Sequence, residues 1–436
     1  MKKVLILTYY WPPSGGAGVQ RWLKFTKYLK TYGWEPIIYT AENGEIPVVD
    51  MSLLKDIPEE LTILKTPIWE PYQLYKRFIG RKKDDKINAS FLSENKKAGL
   101  SEKISIWIRG NFFIPDARKF WIKPSINYLK NYIIKNNIEY IISSGPPHSM
   151  HLIALGLKNK FTSLKWVADF RDPWTNIDFY DKLMLTKRSN IKHHSQELKV
   201  LTNADIILSI GKGMSDEFLN IYQKSGGKNL NKFKVISNGF DTDDIKTSDI
   251  VKDKKFSIAH IGTLVKDRNP IVLWKVLKKL TDTRDDFRSQ LEIKLVGKVD
   301  IFVKEQLENY GLINFVKKIE YLPHSEVIIE QQKSKVLLLL INNTKNAKDI
   351  LTGKFFEYMA SGSPILAIGP IDGELADIIK QTQTGLISNF EDEITLEKNI
   401  LNLFVNQSLQ TNGEEVIKYS REELTKKLCE LLNELN

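Results

Sequence analysis

Short apolar runs alternate with helical periodicities through almost the whole of this chain, and that alternation restricts the fold more than any other feature. Lys3–Tyr9 reads as a first strand. Gly16–Tyr32 follows with apolar residues at Val19, Trp22, Leu23 and Leu29, a helical spacing stopped by Gly33, and Glu35–Thr40 is the next strand. After an irregular basic stretch the pattern resumes with a helix near Lys123–Asn136, a strand at Glu139–Ser143 and a helix near His148–Lys158. Strands at Lys165–Phe170 and Ala204–Ile210 complete the series. A second series has strands at Phe256–Ile261, Glu292–Val296, Val316–Tyr321, Val336–Ile341 and Pro364–Ile368. Helices fall between them near Pro270–Leu280, Ile301–Asn309, Ser325–Lys335 and Lys354–Ser361. Strands apolar on both faces, each followed by a helix, predict parallel sheets covered by helices on both sides. The expected class is α/β, with two Rossmann-like doubly wound domains facing a cleft. The first spans 1–237 and the second 238–419. A capping box, Ser420 to Glu423, opens an amphipathic helix over 420–436 that is expected to pack back on the first domain.

Two domains of about 200 residues each suit a chain of 436 residues. The longest apolar run, Val336 to Ile341, is far short of the roughly 20 residues that span a bilayer. Met1 to Pro13 has too short an apolar core for a signal peptide and no small-residue cleavage site. The single Cys429 excludes an internal disulfide and fits a reducing, cytoplasmic setting. The net charge of +11 is uneven: residues 61–135 hold 16 lysines and arginines against 6 acids, interleaved with Trp69, Trp107, Phe112, Phe120 and other aromatics. Such a segment reads as a solvated basic face or as a contact for an anionic membrane surface, which would make the protein peripheral on the inner face of the membrane. Nucleic acid is not expected, because no recognition motif accompanies the charge.

Three glycine or cation elements sit where strands give way to helices. Pro13-Ser-Gly-Gly-Ala-Gly18 is a turn through which a backbone can approach a diphosphate, but the third position of a dinucleotide fingerprint is Arg21, not glycine. Gly262 to Arg268 ends a strand with glycine and places a guanidinium just before a helix, in position to grip a phosphate. Asp349-Ile-Leu-Thr352-Gly353-Lys354-Phe-Phe-Glu357 sets a glycine and a lysine at a helix start, between two carboxylates. N–H groups and cation can face an anion there, while a carboxylate one turn on can accept from sugar hydroxyls. No P-loop is present, which argues against a nucleoside triphosphatase.

With Ser237-Asn238-Gly239-Phe240-Asp241 these motifs resemble the family 4 type of glycosyltransferase, which has the GT-B architecture, and they run in that family's order along nearly the whole chain. The resemblance implies a retaining transfer from a nucleotide-diphospho-sugar, without an essential metal or other cofactor. It implies donor contacts from Gly16, Ala17, Gly18, Asn238, Gly262, Arg268, Thr352, Gly353 and Lys354, with Glu357 on the donor's ribose and Asp349 at the donor sugar. The chain departs from the family pattern at three places. Asp349 stands where glutamate is usual, Thr263 follows Gly262 where arginine is common, and no histidine follows Lys165–Phe170.

Two further groups lie after strands and are candidates for the acceptor side. Arg171-Asp172 could orient an acceptor hydroxyl as a pair, and His148 in Gly145-Pro-Pro-His148-Ser-Met-His151 could assist there. His193 and His194 lie in a basic helical stretch and read as surface, and no His, Cys and acid grouping has metal-ligand spacing. A glycan or lipid-linked acceptor in polysaccharide or lipopolysaccharide assembly is the expectation. The alternatives are a nucleotide-sugar 2-epimerase on the same fold, or a non-enzymatic basic protein that binds membrane or nucleic acid.

Overall fold

The computed structural model describes residues 1–46, 48–71, 100–245, 250–406 and 408–435. The chain forms two compact units, one of Met1–Ser237 with Leu424–Asn436, the other of Asn238–Glu423.

In the first unit seven strands form one parallel sheet: β1 (Lys2–Leu7), β2 (Trp34–Ala41), β3 (Thr62–Thr66), β4 (Tyr140–Gly145), β5 (Lys165–Phe170), β6 (Ile206–Ser209) and β7 (Phe233–Val235). Their order is β3-β2-β1-β4-β5-β6-β7. The order reverses between β1 and β4, so the loops leaving these two strands diverge and open a crevice at their C-terminal ends. Apolar side chains cover both faces. Leu5, Ile141, Ala168 and Ile207 join the layer of Leu129, Ile153 and Phe218. Val4, Ile6, Ile142 and Val167 join the layer of Trp22 and Phe25. Leu424, Leu428, Cys429 and Leu432 of the last helix (Arg421–Glu434) pack in that second layer, and the Glu423 N–H donates to Ser420 Oγ at its start.

The second unit has six strands, β8 (Phe256–Ile261), β9 (Leu291–Val296), β10 (Val316–Ile319), β11 (Val336–Leu340), β12 (Ile365–Ile368) and β13 (Gly385–Ser388). They pair in parallel in the order β10-β9-β8-β11-β12-β13. Here the reversal falls between β8 and β11. The chain's two passages at this unit's border run together, with Phe240 bridged to Ser420.

Several elements lie where the sequence pattern gives no signal. The edge strand β3 and the helix Leu100–Phe112 fall in the stretch read as irregular. β3 is half-exposed and carries a lysine, as edge strands do. Three-residue β7 is too short for a periodicity. β13 opens on a glycine, which reads as a break. The glycine is needed because a Cβ at Gly385 would stand 2.4 Å from the Ile365 carbonyl oxygen of β12.

A buried ion pair crosses the switch point of the first sheet. Arg21, from the first helix (Ala17–Leu29), is fully buried and grips Asp169 of β5 through Nε and a terminal nitrogen, the shortest contact being 2.8 Å. Trp22 Nε1 and the Ser144 hydroxyl donate to the same carboxylate, each at 2.9 Å. Burial pushes the Asp169 carboxyl up, but Arg21 and the Ser144 hydrogen bond outweigh it and hold the group below its usual range. The rest of the guanidinium donates to the Ile236 and Ser237 carbonyls, the last residues of the unit before Asn238. Removing one partner strands the other charge in a dry interior. Asp169→Ala is therefore expected to destabilise the protein by about 3–5 kcal/mol, read as a lower urea midpoint; a change within about 1 kcal/mol would contradict a paired, dry Arg21.

Candidate functional site

The second unit gathers most of its sequence-marked residues at the ends of β8 and β11. Gly262 leaves β8 with φ +122°, a backbone that side chains rarely adopt. The space its missing side chain would fill is taken by Lys354: a Cβ there would lie 2.1 Å from Lys354 Nζ. Lys354 reaches that point because its helix, Gly353–Ala360, is tied to β8 by the Ile261 N–H, which donates to Tyr358 Oη at 3.1 Å. Arg268 stands at the end of a short turn, Lys266–Arg268, and its Nε donates to Asn342 Oδ1 at 2.7 Å, across the switch point. Glu357 lies one turn beyond Lys354 and accepts from Gln331 Nε2 at 3.3 Å.

The electrostatics of this group favour an anion. Burial first, and then the charge of Arg268, lower the Lys354 ammonium to about 8, with Glu357 offsetting part of the drop. His260, beneath them in β8, is driven to about 3, first by burial and then by the charge of Lys354, so it is neutral. Two cations held together in a recess repel each other, and an anionic ligand relieves that repulsion. The helix start adds N–H donors. Gly353 has open space where a Cβ would stand, and the buried Thr352 Oγ1 has no hydrogen-bond partner. Asp349 closes a short turn, Ala347–Asp349, and is exposed. Asn238 is the first residue of this unit.

In the first unit the glycine turn is built as a phosphate-approach loop would be. Gly16 caps the first helix with φ +93° and nothing within 4 Å of a Cβ position, and Ala17 begins that helix. Gly18 has a different task. A Cβ there would lie 2.9 Å from an Arg171 terminal nitrogen, which donates to the Gly18 carbonyl at 2.7 Å. The other terminal nitrogen of Arg171 donates to the Pro146 carbonyl. Arg171 thus pins the loops after β1 and β4 instead of making the hydrogen-bonded pair with Asp172 that the sequence suggested. Its charge still acts through space on Asp172, which is exposed.

Asp172 and His148 line a cavity of about 320 Å³ lying wholly within the first unit. His148 is buried, with its ring stacked on Trp174 at 4.5 Å and 2°. His151 instead belongs to the core, bonded to Ser143 Oγ at 2.8 Å. His193 corrects the surface reading: it is buried, lines the cavity, and accepts from Trp174 Nε1 at 3.2 Å through Nδ1. Its lysine-rich neighbours face solvent and mask the one inward position on that turn. The sequence also gave no role to Asn342, Gln331, His260 or Trp174. Asn342 follows a strand at the switch point, the one local signal that could have marked it. Among the described residues no group of three His, Cys, Asp or Glu side chains could hold a metal.

No protein of curated function matches the sequence. Residues 241–423 match the family model described as glycosyl transferases group 1. Among solved structures, sucrose-phosphate synthase from Thermosynechococcus elongatus is similar over 100% of this chain and 99% of its own, at 13% identity and a TM-score of 0.64. HepE from Anabaena, solved in complex with UDP-glucose, is similar over 100% of both chains at 12% identity and a TM-score of 0.61. WaaG, a glycosyltransferase involved in lipopolysaccharide biosynthesis, is similar over 98% of this chain and 99% of its own, at 12% identity and a TM-score of 0.54. The fold is GT-B, and the match to glycosyl transferases group 1 falls on its second unit.

The charge on Lys354 is present below about pH 8 and is lost as pH rises through that value. Affinity for pyrophosphate, measured calorimetrically, should therefore fall above pH 8 in the parent protein and change less in Lys354→Arg, whose side chain stays charged. Equal pH profiles for the two would remove Lys354 from the anion site.

Proposed function

We propose that the chain is a retaining glycosyltransferase that moves a sugar from a nucleotide-diphospho-sugar to a glycan or lipid-linked acceptor of the cell envelope. The observation that carries this reading is Lys354 standing over Gly262 at a helix start, within range of the Arg268 charge and with Glu357 one turn away. The cations, the Gly353 N–H and the Thr352 hydroxyl suit a diphosphate, and Glu357, oriented by Gln331, suits ribose hydroxyls. Asp349 is assigned to the donor sugar, and Asp172 and His148 to the acceptor side. Among the similar structures, HepE is bound to UDP-glucose and WaaG is involved in lipopolysaccharide biosynthesis, which supports the donor and acceptor classes.

The chemistry proposed is a front-face displacement. The bond from the sugar C1 to the diphosphate oxygen breaks as the acceptor oxygen bonds C1 on the same face. The acceptor's proton passes to the departing phosphate oxygen. Arg268, Lys354 and the helix N-terminus stabilise the charge that develops on the leaving group, so the route requires no nucleophile from the chain. Incubation with nucleotide sugars should release nucleoside diphosphate. Lys354→Ala and Glu357→Ala should each lower turnover or donor affinity by about 10²-fold. Unchanged kinetics in both would defeat the site assignment.

No helix of the described residues is long and apolar enough to cross a membrane. We further propose that the basic segment 61–135 contacts an anionic membrane surface. Residues 72–99 of it lie outside the described residues. The rest exposes Trp69, Trp107, Phe112 and Phe120, together with Lys123. Co-sedimentation with anionic liposomes should weaken as salt rises, and equal binding to neutral liposomes would sink the idea.

A further inference from the structure

Glu357, the carboxylate assigned above to the donor's ribose, is half-buried, and what fixes it lies on the neighbouring helix, His324–Lys333. Among the described residues Gln331 is the one side chain that hydrogen-bonds it, donating from Nε2 to Oε2 at 3.3 Å. Gln331 is only 2% exposed, and its main chain is held as well: Ser363 Oγ donates to its carbonyl at 2.9 Å. Lys252 Nζ donates in turn to Ser363 Oγ at 2.6 Å and to the Ser334 carbonyl at 3.3 Å. One residue is thus stitched twice to the segment that carries Glu357, once at the carboxylate and once just past the end of its helix.

The residue before Gln331 ties the same helix to the sheet. Glu330 takes the Lys294 ammonium of β9 at 3.1 Å, and Asp253 takes it at 2.6 Å. The Lys294 side chain is 1% exposed. Burial alone would lower its basicity, but the two carboxylates outweigh that and hold it above its usual range. A buried cation with both partners in place has little freedom, so the turn bearing Gln331 is fixed to β9 and to the chain entering β8.

An amide at this place does what a cation could not. Lysine or arginine at 331 would pair with Glu357 and compete with hydroxyl donors for it. Glutamine gives one N–H, adds no charge, and leaves most of the carboxylate's roughly four acceptor positions to sugar hydroxyls. We propose that Gln331 is a positioning residue for ribose selection, held in register by Ser363 and Lys252 behind it and by the Lys294 pairings beside it. The inference rests on the transferase reading above and deepens it: the preference for a ribonucleotide is set by an amide buried behind the carboxylate that meets the sugar.

The test is a ratio of affinities. UDP, ADP and GDP are titrated calorimetrically into the full chain, each beside its 2′,3′-dideoxy form, with pyrophosphate on the same samples. The parent should bind a ribose form about tenfold or more tighter than its dideoxy form, the usual worth of a hydrogen bond to a charged group. Gln331→Met keeps the length of the side chain but cannot donate, and Gln331→Glu keeps its shape but sets a carboxylate against Glu357. In both, with folding checked by melting temperature, the ratio should fall to about threefold or less, while pyrophosphate, which has no hydroxyls, should bind as in the parent. Ser363→Ala should lower the ratio part of the way. A parental ratio in either folded Gln331 variant, whatever happens to pyrophosphate, would overturn the role of Gln331 and leave the transferase reading standing. A parent with no preference for the ribose form, or with no affinity for any of the three diphosphates, would overturn the placement of Glu357 on ribose and this inference with it.

Discussion

The first unit depends on the pair of Arg21 and Asp169. One guanidinium, buried from water, ties the first helix to β5, and through Trp22 and Ser144 the same carboxylate reaches the helix again and β4. It also holds the carbonyls of Ile236 and Ser237, where the chain leaves the unit. A charge in a dry interior is tolerated only when its hydrogen bonds are completed, so this arrangement has one acceptable geometry. The loops at the sheet's C-terminal edge inherit that geometry. Arg171, two residues beyond Asp169, pins the Gly18 and Pro146 carbonyls, and His148 follows directly.

The second unit solves a different problem with a single residue. Lys354 can stand over Gly262, within range of the Arg268 charge, only because Gly262 has no side chain and turns through a positive φ. The cost of crowding two cations shows in the lowered basicity of Lys354. A site that pays such a cost in the empty state is prepared for an anion, since the ligand removes a repulsion as well as adding contacts.

Both units show which parts of the candidate sites are local in sequence and which are not. Gly262, Arg268, Lys354 and Glu357 stood out because glycine and charge at strand-to-helix turns are local signals, and the structure gathers all four. Arg21 was visible only as a missing glycine in a fingerprint. Its partner lies 148 residues away, and no periodicity links them. Arg171 and Asp172 were read as a pair because they are adjacent, yet neighbours in a loop after a strand can point to different places, and these do. His193 was judged by its basic neighbours, although one face of a helix can be buried while the rest is solvated. Asn342 and Gln331 have no distinguishing residue type, and only their places beside Arg268 and Glu357 give them a role.

The sequence by itself determined the architecture and the donor-side candidates, because hydrophobic periodicity and the special backbone of glycine act over a few residues. Only the tertiary structure decided the cavity of the first unit, with its buried, neutral histidines and the ring of His148 stacked on Trp174. Burial and hydrogen-bond completion are properties of a surrounding shell. That shell is assembled here from residues between Tyr10 and His193, which meet only when β1, β4 and β5 lie side by side.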